Sequence, residues 1–395
     1  MHKLTQAALT VTLACAAIPA LAADVIPVPA PAAVPTLSDV LNASNISITG
    51  YLDAGYTSLN STGLFTNGGA TRVFDAPNAS TGHNFDSFNL NQAAVTVAMQ
   101  PKEGFGGLVN LTAGQDAQVI ASAGEGATAF PYSGHYFDIT QAYLSYATGP
   151  LTIIGGKFVT ASGAEVIASP SDTNYSRSIL FGYAIPFTHT GVRATYAVND
   201  TLSLIAGINN GWDQVSDLNK DKTVELGFIA TPVKMFSLAG TFYGGKELTT
   251  TPLAAGGVNG MRNLYDLVAT INATDQLTFV LNYDYATQEN ATLLPSGKTG
   301  KAKWDGLAAY ANYQFNDQWR VSLRGEYFND TDGYRTGIAQ KWKEGTFTVA
   351  YMPTKHVELR AEVRKDKSDR PAFLTTAGTG KDSQTSAGLE AIYKF

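Results

Sequence analysis

The clearest pattern along the chain is a two-residue alternation of apolar and polar positions. Residues 357–364 give the sharpest example, in the order Val357, Glu358, Leu359, Arg360, Ala361, Glu362, Val363 and Arg364. Residues 319–328 and 46–58 repeat the pattern, whereas helical spacing is not sustained over any useful length. Because successive side chains of a strand point to opposite faces, each of these segments predicts a β-strand with one apolar and one polar face.

The connections between the alternating segments differ regularly in length. Short links occur at residues 101–104, 148–150, 199–201, 232–235, 274–276, 316–318 and 353–356. Long polar segments occur at residues 59–87, 116–136, 160–188, 210–223, 244–261, 288–303, 329–345 and 367–385. Short and long connections alternate without exception, so seven tight turns and eight loops join about sixteen antiparallel strands. Both chain ends then lie on the side of the short turns.

A sheet of this size is expected to close on itself. An open sheet would leave two long unpaired edges, and closure at this strand number leaves an aqueous interior. In hydrocarbon, a closed barrel is the sheet that satisfies every backbone amide. We therefore predict an all-β fold: a transmembrane antiparallel barrel with short periplasmic turns, long extracellular loops, apolar faces toward lipid and polar faces toward water. A soluble sandwich shares the alternation, but its connections would not alternate in length.

Aromatic side chains gather near the predicted short turns. They are Phe315, Trp319, Tyr351, Tyr393 and Phe395. Rings at such positions fit anchoring at the headgroup level of a membrane, and the alternative is the ordinary enrichment of strands in aromatic residues.

The N-terminus has the features of a secretory signal. His2 and Lys3 form a basic head, residues 4–18 are mostly apolar but too short to span a bilayer, and residues 20–22 read Ala-Leu-Ala. We predict a cleaved signal peptide over residues 1–22, a Pro/Ala-rich segment over 23–44 and the barrel over 45–395. Cys15 is the only cysteine and lies in the signal. A lipoprotein attachment site at Cys15 is the alternative, although Thr12 fits that pattern poorly.

Charge and composition narrow the function classes. The chain has 395 residues, 27 basic against 33 acidic side chains, and a sequence pI near 5.4. It offers no basic stripe for a phosphate backbone, so nucleic acid is not a predicted partner. Phosphate-cradling and dinucleotide fingerprints are absent, and we predict no cofactor.

Four runs of residues stand out in the middle of the chain: Gly155-Gly156-Lys157-Phe158, Gly163-Ala164-Glu165, Asn174-Tyr175-Ser176-Arg177-Ser178 and Pro186-Phe187-Thr188-His189-Thr190-Gly191-Val192-Arg193. They resemble the OmpL-like β-barrel porin family, and the strand and loop pattern extends the likeness over most of residues 45–395. The resemblance implies an outer-membrane channel of a Gram-negative bacterium without implying a particular solute. The alternating ending that finishes on Phe395 also looks like the C-terminal signal read by the outer-membrane assembly machinery.

The third long loop, residues 160–188, carries the first candidate site. By analogy with general porins it would fold into the barrel and place Glu165, Asp172 and Arg177 at a constriction, where fixed charges bias passing ions. The alternative is an extracellular lid with solvated charges. The Pro186-Phe187 pair and the apolar residues 179–183 favour a packed loop.

Charged side chains of the wall form the second candidate site. Alternation turns inward the cations Arg193, Arg320, Arg324, Arg360 and Arg364 and the anions Asp53, Glu225, Asp266, Asp284, Glu326, Glu358 and Glu362. The arginines concentrate on late strands, so one hypothesis is a transverse field between a basic sector and acidic sectors. The other is that these charges pair locally and hold neighbouring strands together.

The sequence favours a porin that passes small hydrophilic solutes or ions by passive diffusion, in contact with outer-membrane lipid. The alternatives are a plugged barrel acting as a receptor or adhesin and, less favoured, a barrel hydrolase using His189 as a base. A homotrimer is expected by analogy with sixteen-stranded porins. Residues 217–221 begin like a calcium loop, but Lys222 and Phe228 depart from the EF-hand pattern. Looser calcium binding there or at Asp330 and Asp332 stays open, and we predict no catalytic or metal site.

Overall fold

A computed structural model describes residues 41, 43–61, 74, 86–122, 135–248, 259–291, 300–375 and 377–395. The predicted signal peptide and residues 23–40 of the segment after it lie outside the described residues.

The described residues form the strands β1 Ser47–Leu59, β2 Ser87–Met99, β3 Gly104–Ala113, β4 Phe137–Thr148, β5 Leu151–Val159, β6 Thr188–Asn199, β7 Leu202–Asn209, β8 Thr223–Val233, β9 Phe236–Leu248, β10 Asn259–Asn272, β11 Leu277–Ala291, β12 Gly300–Asn316, β13 Trp319–Asp330, β14 Gln340–Thr354, β15 Val357–Ser368, β16 Phe373–Leu374, β17 Gly380–Lys381 and β18 Ser383–Lys394. The short helical elements include the helix Ala117–Ile120, a 3₁₀ turn at Ser169–Ser171 and a π-helical turn at Leu180–Ala184. No helix in the described ranges is long and apolar enough to cross a membrane.

Sixteen of the described strands close into one antiparallel barrel. Each strand pairs with its neighbour in sequence, except that β15 pairs with β18 around the separate β16–β17 hairpin, and β18 pairs with β1. Backbone hydrogen bonds of 2.9 and 3.0 Å between Phe395 and Gly50 tie the chain end to the first strand. The prediction of a closed barrel of about sixteen strands is therefore confirmed, and the strands meet at the seven short turns expected from the sequence.

The predicted inward and outward faces are also confirmed over most of the wall. On β15, Leu359, Ala361 and Val363 are exposed, whereas Glu358 and Arg360 are buried. This register is firmly set, because a slip by one residue would turn Glu358, Arg360, Glu362 and Arg364 toward lipid. The aromatic side chains near the short turns point outward as expected: Phe315, Trp319, Tyr393 and Phe395 are exposed.

Several strands extend further toward the loops than predicted. Residues 288–303 and 329–345 were expected to be loops, but β11 continues to Ala291, β12 begins at Gly300 and β14 begins at Gln340. In these strand extensions the apolar and polar positions still alternate, but the apolar side chains now face inward. Trp304 and Trp342 point inward, and lysines point outward. The reason is that beyond the hydrocarbon core the outer face meets polar headgroups and water, so the apolar side chains turn to the interior.

The interior therefore departs from the expected polar, water-lined face near the loops. A buried apolar cluster occupies this region, made of loop residues and of inward-facing side chains from β9 to β14. It includes Ile179, Leu180, Phe181, Tyr183, Ile185, Phe187, Tyr243, Leu264, Trp304, Phe328 and Trp342. The third long loop thus has a hydrophobic core to pack against inside the barrel.

Candidate functional site

The connection between β5 and β6, residues 160–187, crosses the inside of the barrel; we call it L3. The Ser162 hydroxyl lies 2.5 Å from the Thr241 hydroxyl on β9, and the Ser169 hydroxyl donates to Asp53 on β1 at 2.5 Å. Strands β1 and β9 stand opposite each other in the ring of strands. L3 therefore reaches both walls of the barrel, as a loop folded into the interior does and a solvated lid does not.

Two glutamates of the wall hold L3 through its backbone. The Glu362 carboxylate accepts hydrogen bonds from the amides of Tyr175 and Ser176 at 2.7 and 3.0 Å. The Glu326 carboxylate accepts from the consecutive amides of residues 179–180 at 3.0 and 3.1 Å. Each carboxylate thus satisfies two successive N–H groups that would otherwise be buried without a partner.

Three arginines of the wall bind L3 from the same side through its carbonyl groups. Arg324, Arg360 and Arg364 donate to the carbonyl oxygens of residues 176, 172 and 177 at 2.6, 2.7 and 2.7 Å. Glutamates that accept from amides and arginines that donate to carbonyls together fix the path of the loop backbone. We call these five wall side chains, Arg324, Glu326, Arg360, Glu362 and Arg364, the clamp.

Each arginine predicted to face the interior also pairs with a carboxylate. The distances are 2.8 Å for Arg193–Glu225, 2.6 Å for Arg320–Glu358, 2.8 Å for Arg324–Glu344, 2.8 Å for Arg360–Glu358 and 2.8 Å for Arg364–Asp366. Arg324 additionally contacts Glu165 of L3 at 2.8 Å. This geometry is that of local pairing, the second of the two hypotheses for the wall charges.

The predicted constriction residues lie within the contact between L3 and the wall. Glu165, Asp172 and Arg177 are only 5, 5 and 6% exposed. Arg177 pairs with Asp172 at 2.6 Å and donates to the Ile167 carbonyl oxygen at 2.7 Å. Burial raises the pKa of Asp172 to about 7, and the Arg177 guanidinium opposes this rise. The structure thus brings these residues together with Arg324 and Arg360, but in a packed arrangement.

Several charged residues at this site were missed from the sequence. Glu344 was assigned to a loop, and Glu390 was not considered, although each lies at an inward position of an alternating strand. Glu390 contacts Arg360 at 3.0 Å. On the other side of the barrel, Lys157 pairs with Asp138 at 3.1 Å. Extending the alternation to the strand ends would have found these positions.

Acidic groups outnumber basic groups in the interior. Among the described residues, seventeen buried side chains are aspartate or glutamate and six are lysine or arginine. Asp284 is fully buried, and neither of its carboxylate oxygens has a hydrogen-bond partner in the described part of the chain. Asp266 stands directly opposite on the neighbouring strand, where it accepts from Asn282 at 2.7 Å. The wall at β10 and β11 therefore carries carboxylates without a cation beside them.

The remaining sequence candidates have structural partners. His189 is buried, its ring stacks on Tyr243 with centroids 4.5 Å apart, and its Nδ1 lies 3.1 Å from the Gly211 carbonyl oxygen. The Asp217 carboxylate binds the Lys222 ammonium within its own loop. Asp330 accepts three backbone amides from residues 334–336. Within the described ranges, no group of three or more His, Cys, Asp or Glu side chains could hold a metal ion.

A closed sixteen-stranded barrel with an apolar outer face and an inserted loop has the architecture of outer-membrane porins. Three solved structures share this architecture, and each aligns with 89% of this chain. The outer-membrane channel DcaP of Acinetobacter baumannii is 15% identical, with a TM-score of 0.58 over 97% of its chain. OmpT of Vibrio cholerae, in a trimer form, is 12% identical (0.58, 99%), and the anion-selective porin from Comamonas acidovorans is 12% identical (0.59, 99%). At these identities the likeness establishes the fold.

The chain belongs to the family described as "putative beta-barrel porin-2, OmpL-like", whose model matches residues 45–395. The predicted family is confirmed, and with it the class of function, a passive channel of the outer membrane. Among curated proteins, none matches the chain in sequence.

Proposed function

We propose that this porin passes small hydrophilic solutes and ions by passive diffusion, without catalytic turnover, and that it favours cations over anions. The observation that carries the selectivity is the excess of buried carboxylates over buried cations among the described residues. The anion-selective porin from Comamonas acidovorans shares only the fold, so the preference is argued from the charges of this chain alone.

The excess of carboxylates acts on ions because an aqueous path that is bounded by a low-dielectric wall focuses the field of nearby fixed charges. Carboxylates along a channel attract cations and lower their barrier to entry. Asp266 and Asp284 contribute most clearly, since the arginines of β13 and β15 are already paired with glutamates. Two facing carboxylates do not both ionise, so this pair contributes at most one negative charge, and no basic residue of the described ranges beside it cancels that charge.

Reversal potentials in planar bilayers test this proposal. With a tenfold KCl gradient across the membrane, we expect a potential of the sign for a cation-preferring channel. A double variant Asp266→Asn and Asp284→Asn should lower the cation-to-anion permeability ratio, while Lys355→Gln at a short turn should leave it unchanged. An anion-preferring wild type, or a ratio unaffected by the double variant, would contradict the acidic-lumen argument.

The transverse-field hypothesis for the wall charges has a separate test. If a basic sector sets the selectivity, Arg320→Ala and Arg324→Ala should both shift the permeability ratio toward cations. Arg320 is the more informative position, because it is partly exposed and its ion pair is with Glu358 of the wall. An unchanged ratio in Arg320→Ala would leave local pairing as the role of these arginines.

A plugged barrel that serves as a receptor or adhesin is the second candidate function. The apolar cluster between L3 and the inner wall supports it, since packed hydrophobic side chains exclude water from the part of the lumen that they fill. Single-channel recordings distinguish the two functions: an open porin gives discrete conductance steps, and a plugged barrel stays silent. Recovery of conductance after removal of residues 165–183 would assign the block to L3.

Export and assembly complete the proposal. We assign residues 1–22 to a cleaved signal, 23–44 to a Pro/Ala-rich spacer and 45–395 to the barrel in the outer membrane of a Gram-negative bacterium. Phe395 would be read by the assembly machinery, and the functional unit would be a homotrimer. The mass of the mature chain tests the cleavage site, insertion of a variant lacking Phe395 tests the assembly signal, and sedimentation in detergent tests the trimer.

A further inference from the structure

Six exposed lysines cover one sector of the outer face of the barrel near the loops. They lie on β12, β14 and β15 and are Lys301, Lys303, Lys341, Lys343, Lys365 and Lys367. We call this group the lysine patch. None of its ammonium groups forms an ion pair with a carboxylate of the described residues. Asp305 shares this face, but its carboxylate accepts a hydrogen bond from Asn329 at 2.8 Å.

The lysine patch begins where the apolar outer band ends. On these strands the next large outward-facing residues toward the short turns are Leu307, Phe347 and Val363, all exposed and apolar. On β2 and β4, by contrast, apolar side chains reach the loop end of the strand, as Phe88 and Phe137 illustrate. The lysines therefore lie at the headgroup level of the outer leaflet, and they cluster in this sector.

Two of the lysines face each other directly. Lys343 and Lys367 are register partners on β14 and β15. Like charges in this position destabilise a sheet, because their side chains begin only about 5 Å apart. An anion bound between them would remove this repulsion.

A shallow recess lies beside this pair. Gly325 and Gly345 are register partners on β13 and β14 and point outward, and Gly345 is the register partner of Lys365. A Cβ added at Gly345 would meet no atom within 4 Å, so the space above this backbone is open. Tyr327 borders the recess on the loop side, with the Lys343 ammonium 5.8 Å from its ring centroid. Bare backbone, an aromatic edge and three lysines together form a surface that fits a sugar ring bearing a phosphate.

We propose that the lysine patch and the glycine recess bind the phosphorylated sugar headgroup of an outer-leaflet glycolipid. The lysines would contact the phosphates, and the sugar would lie over Gly325 and Gly345 with its acyl chains along the apolar band below. The proposal rests on the outer-membrane placement of the barrel with its long loops outside, and it does not depend on whether the channel conducts.

Binding of diphosphorylated lipid A to the detergent-solubilised full-length barrel tests the proposal, with native mass spectrometry as the readout. We expect the triple variant Lys343→Gln, Lys365→Gln and Lys367→Gln to bind at least tenfold more weakly than the wild type. The matched control is Lys102→Gln, Lys234→Gln and Lys355→Gln, three exposed lysines at the short turns. This control should bind as the wild type does.

Three further measurements test which parts of the ligand the site recognises. Lipid A without phosphates should bind as weakly as the triple variant does, and Gly345→Leu should weaken binding by filling the recess without a change of charge. Inorganic phosphate at millimolar concentration should not displace the lipid. Equal binding by the triple variant, equal binding of the dephosphorylated lipid, or displacement by free phosphate would overturn the assignment. Conductance recorded on the same preparations separates failure here from failure of the channel proposal.

Discussion

Replacement of Arg324 by alanine is the most direct test of the clamp. The guanidinium contacts three carboxylates, those of Glu344 and Glu165 at 2.8 Å and that of Glu326 at 3.2 Å. It also donates to the Ser176 carbonyl oxygen of L3 at 2.6 Å. The variant would leave these acceptors buried around a cavity, and the nearest remaining cation would be Arg364, 3.5 Å from Glu344.

The expected cost follows from the burial of this network. Removal of one partner from a buried ion pair costs about 3 to 5 kcal/mol, because the remaining charge stays desolvated. Arg324 and Glu344 have no exposed side-chain surface, so this range applies without a discount for solvent screening. Arg320 on the same strand is the matched control: its side chain is 16% exposed, and its partner Glu358 keeps a second arginine at 2.8 Å. We expect Arg320→Ala to cost about 1 kcal/mol or less.

Urea unfolding in detergent micelles, followed by tryptophan fluorescence, measures both variants. Limited proteolysis adds a local readout, since a released L3 should be cut faster in Arg324→Ala than in the wild type or in Arg320→Ala. A free energy of unfolding within about 1 kcal/mol of the wild type for Arg324→Ala would refute the argument, because that is the value of a solvated ion pair. Equal cleavage of L3 in all three proteins would show that the apolar cluster alone holds the loop.

Three further changes probe other parts of the barrel by the same unfolding assay. Trp304→Ala should cost about 3 to 5 kcal/mol, because the ring is fully buried and its indole N–H donates to the Ala184 carbonyl oxygen at 3.0 Å; a cost below about 1 kcal/mol would contradict the inner core. Leu267→Arg in lipid vesicles should cost about 2 to 4 kcal/mol, since this side chain points outward from the middle of β10, and a neutral effect would place that face outside hydrocarbon. Asp284→Asn should stabilise the barrel by about 1 kcal/mol, because an amide can donate to Asp266 where the carboxylate has no donor, and destabilisation would show that an unseen partner binds Asp284.

The wall of the barrel could be predicted because the face to which each side chain points depends only on neighbouring residues in the sequence. Whether Glu358 or Leu359 faces the interior depends on a two-residue period, and the order of strands follows from the lengths of the connections. Trp304 and Trp342 depart from this rule, because the two-residue period continues there but the apolar side chains face inward. Beyond the hydrocarbon core the outer face meets polar headgroups and water, so a tryptophan that would face acyl chains lower on the barrel faces the interior instead. A sequence pattern shows which residues of a strand share a face, but not the position along the strand at which lipid outside the barrel gives way to water.

The contacts of L3 could not be predicted, because they join side chains of the wall to the backbone of a distant segment. Nothing in the residue types of Tyr175 and Ser176 indicates that their amides bind Glu362. The analogy with general porins placed the loop in the barrel, and the apolar residues 179–183 predicted that it packs. Which arginine meets which carbonyl depends on the three-dimensional path of the loop, and a single sequence does not encode this in any local pattern.

The clamp indicates how a wide barrel keeps a long loop ordered in its interior. Fixing a backbone costs about 1 to 2 kcal/mol per residue, and a solvated loop would recover little of this cost. Here Glu362 and Glu326 satisfy consecutive amides, Arg360 satisfies a carbonyl group, and the apolar part of L3 is buried against the wall. Because the charged groups bind the backbone, the path of L3 depends more on the wall than on the loop's own polar side chains. Substitution of a wall charge should therefore disturb the interior more than substitution of an L3 side chain such as Thr173, whose hydroxyl donates to its neighbour Asn174 at 3.4 Å.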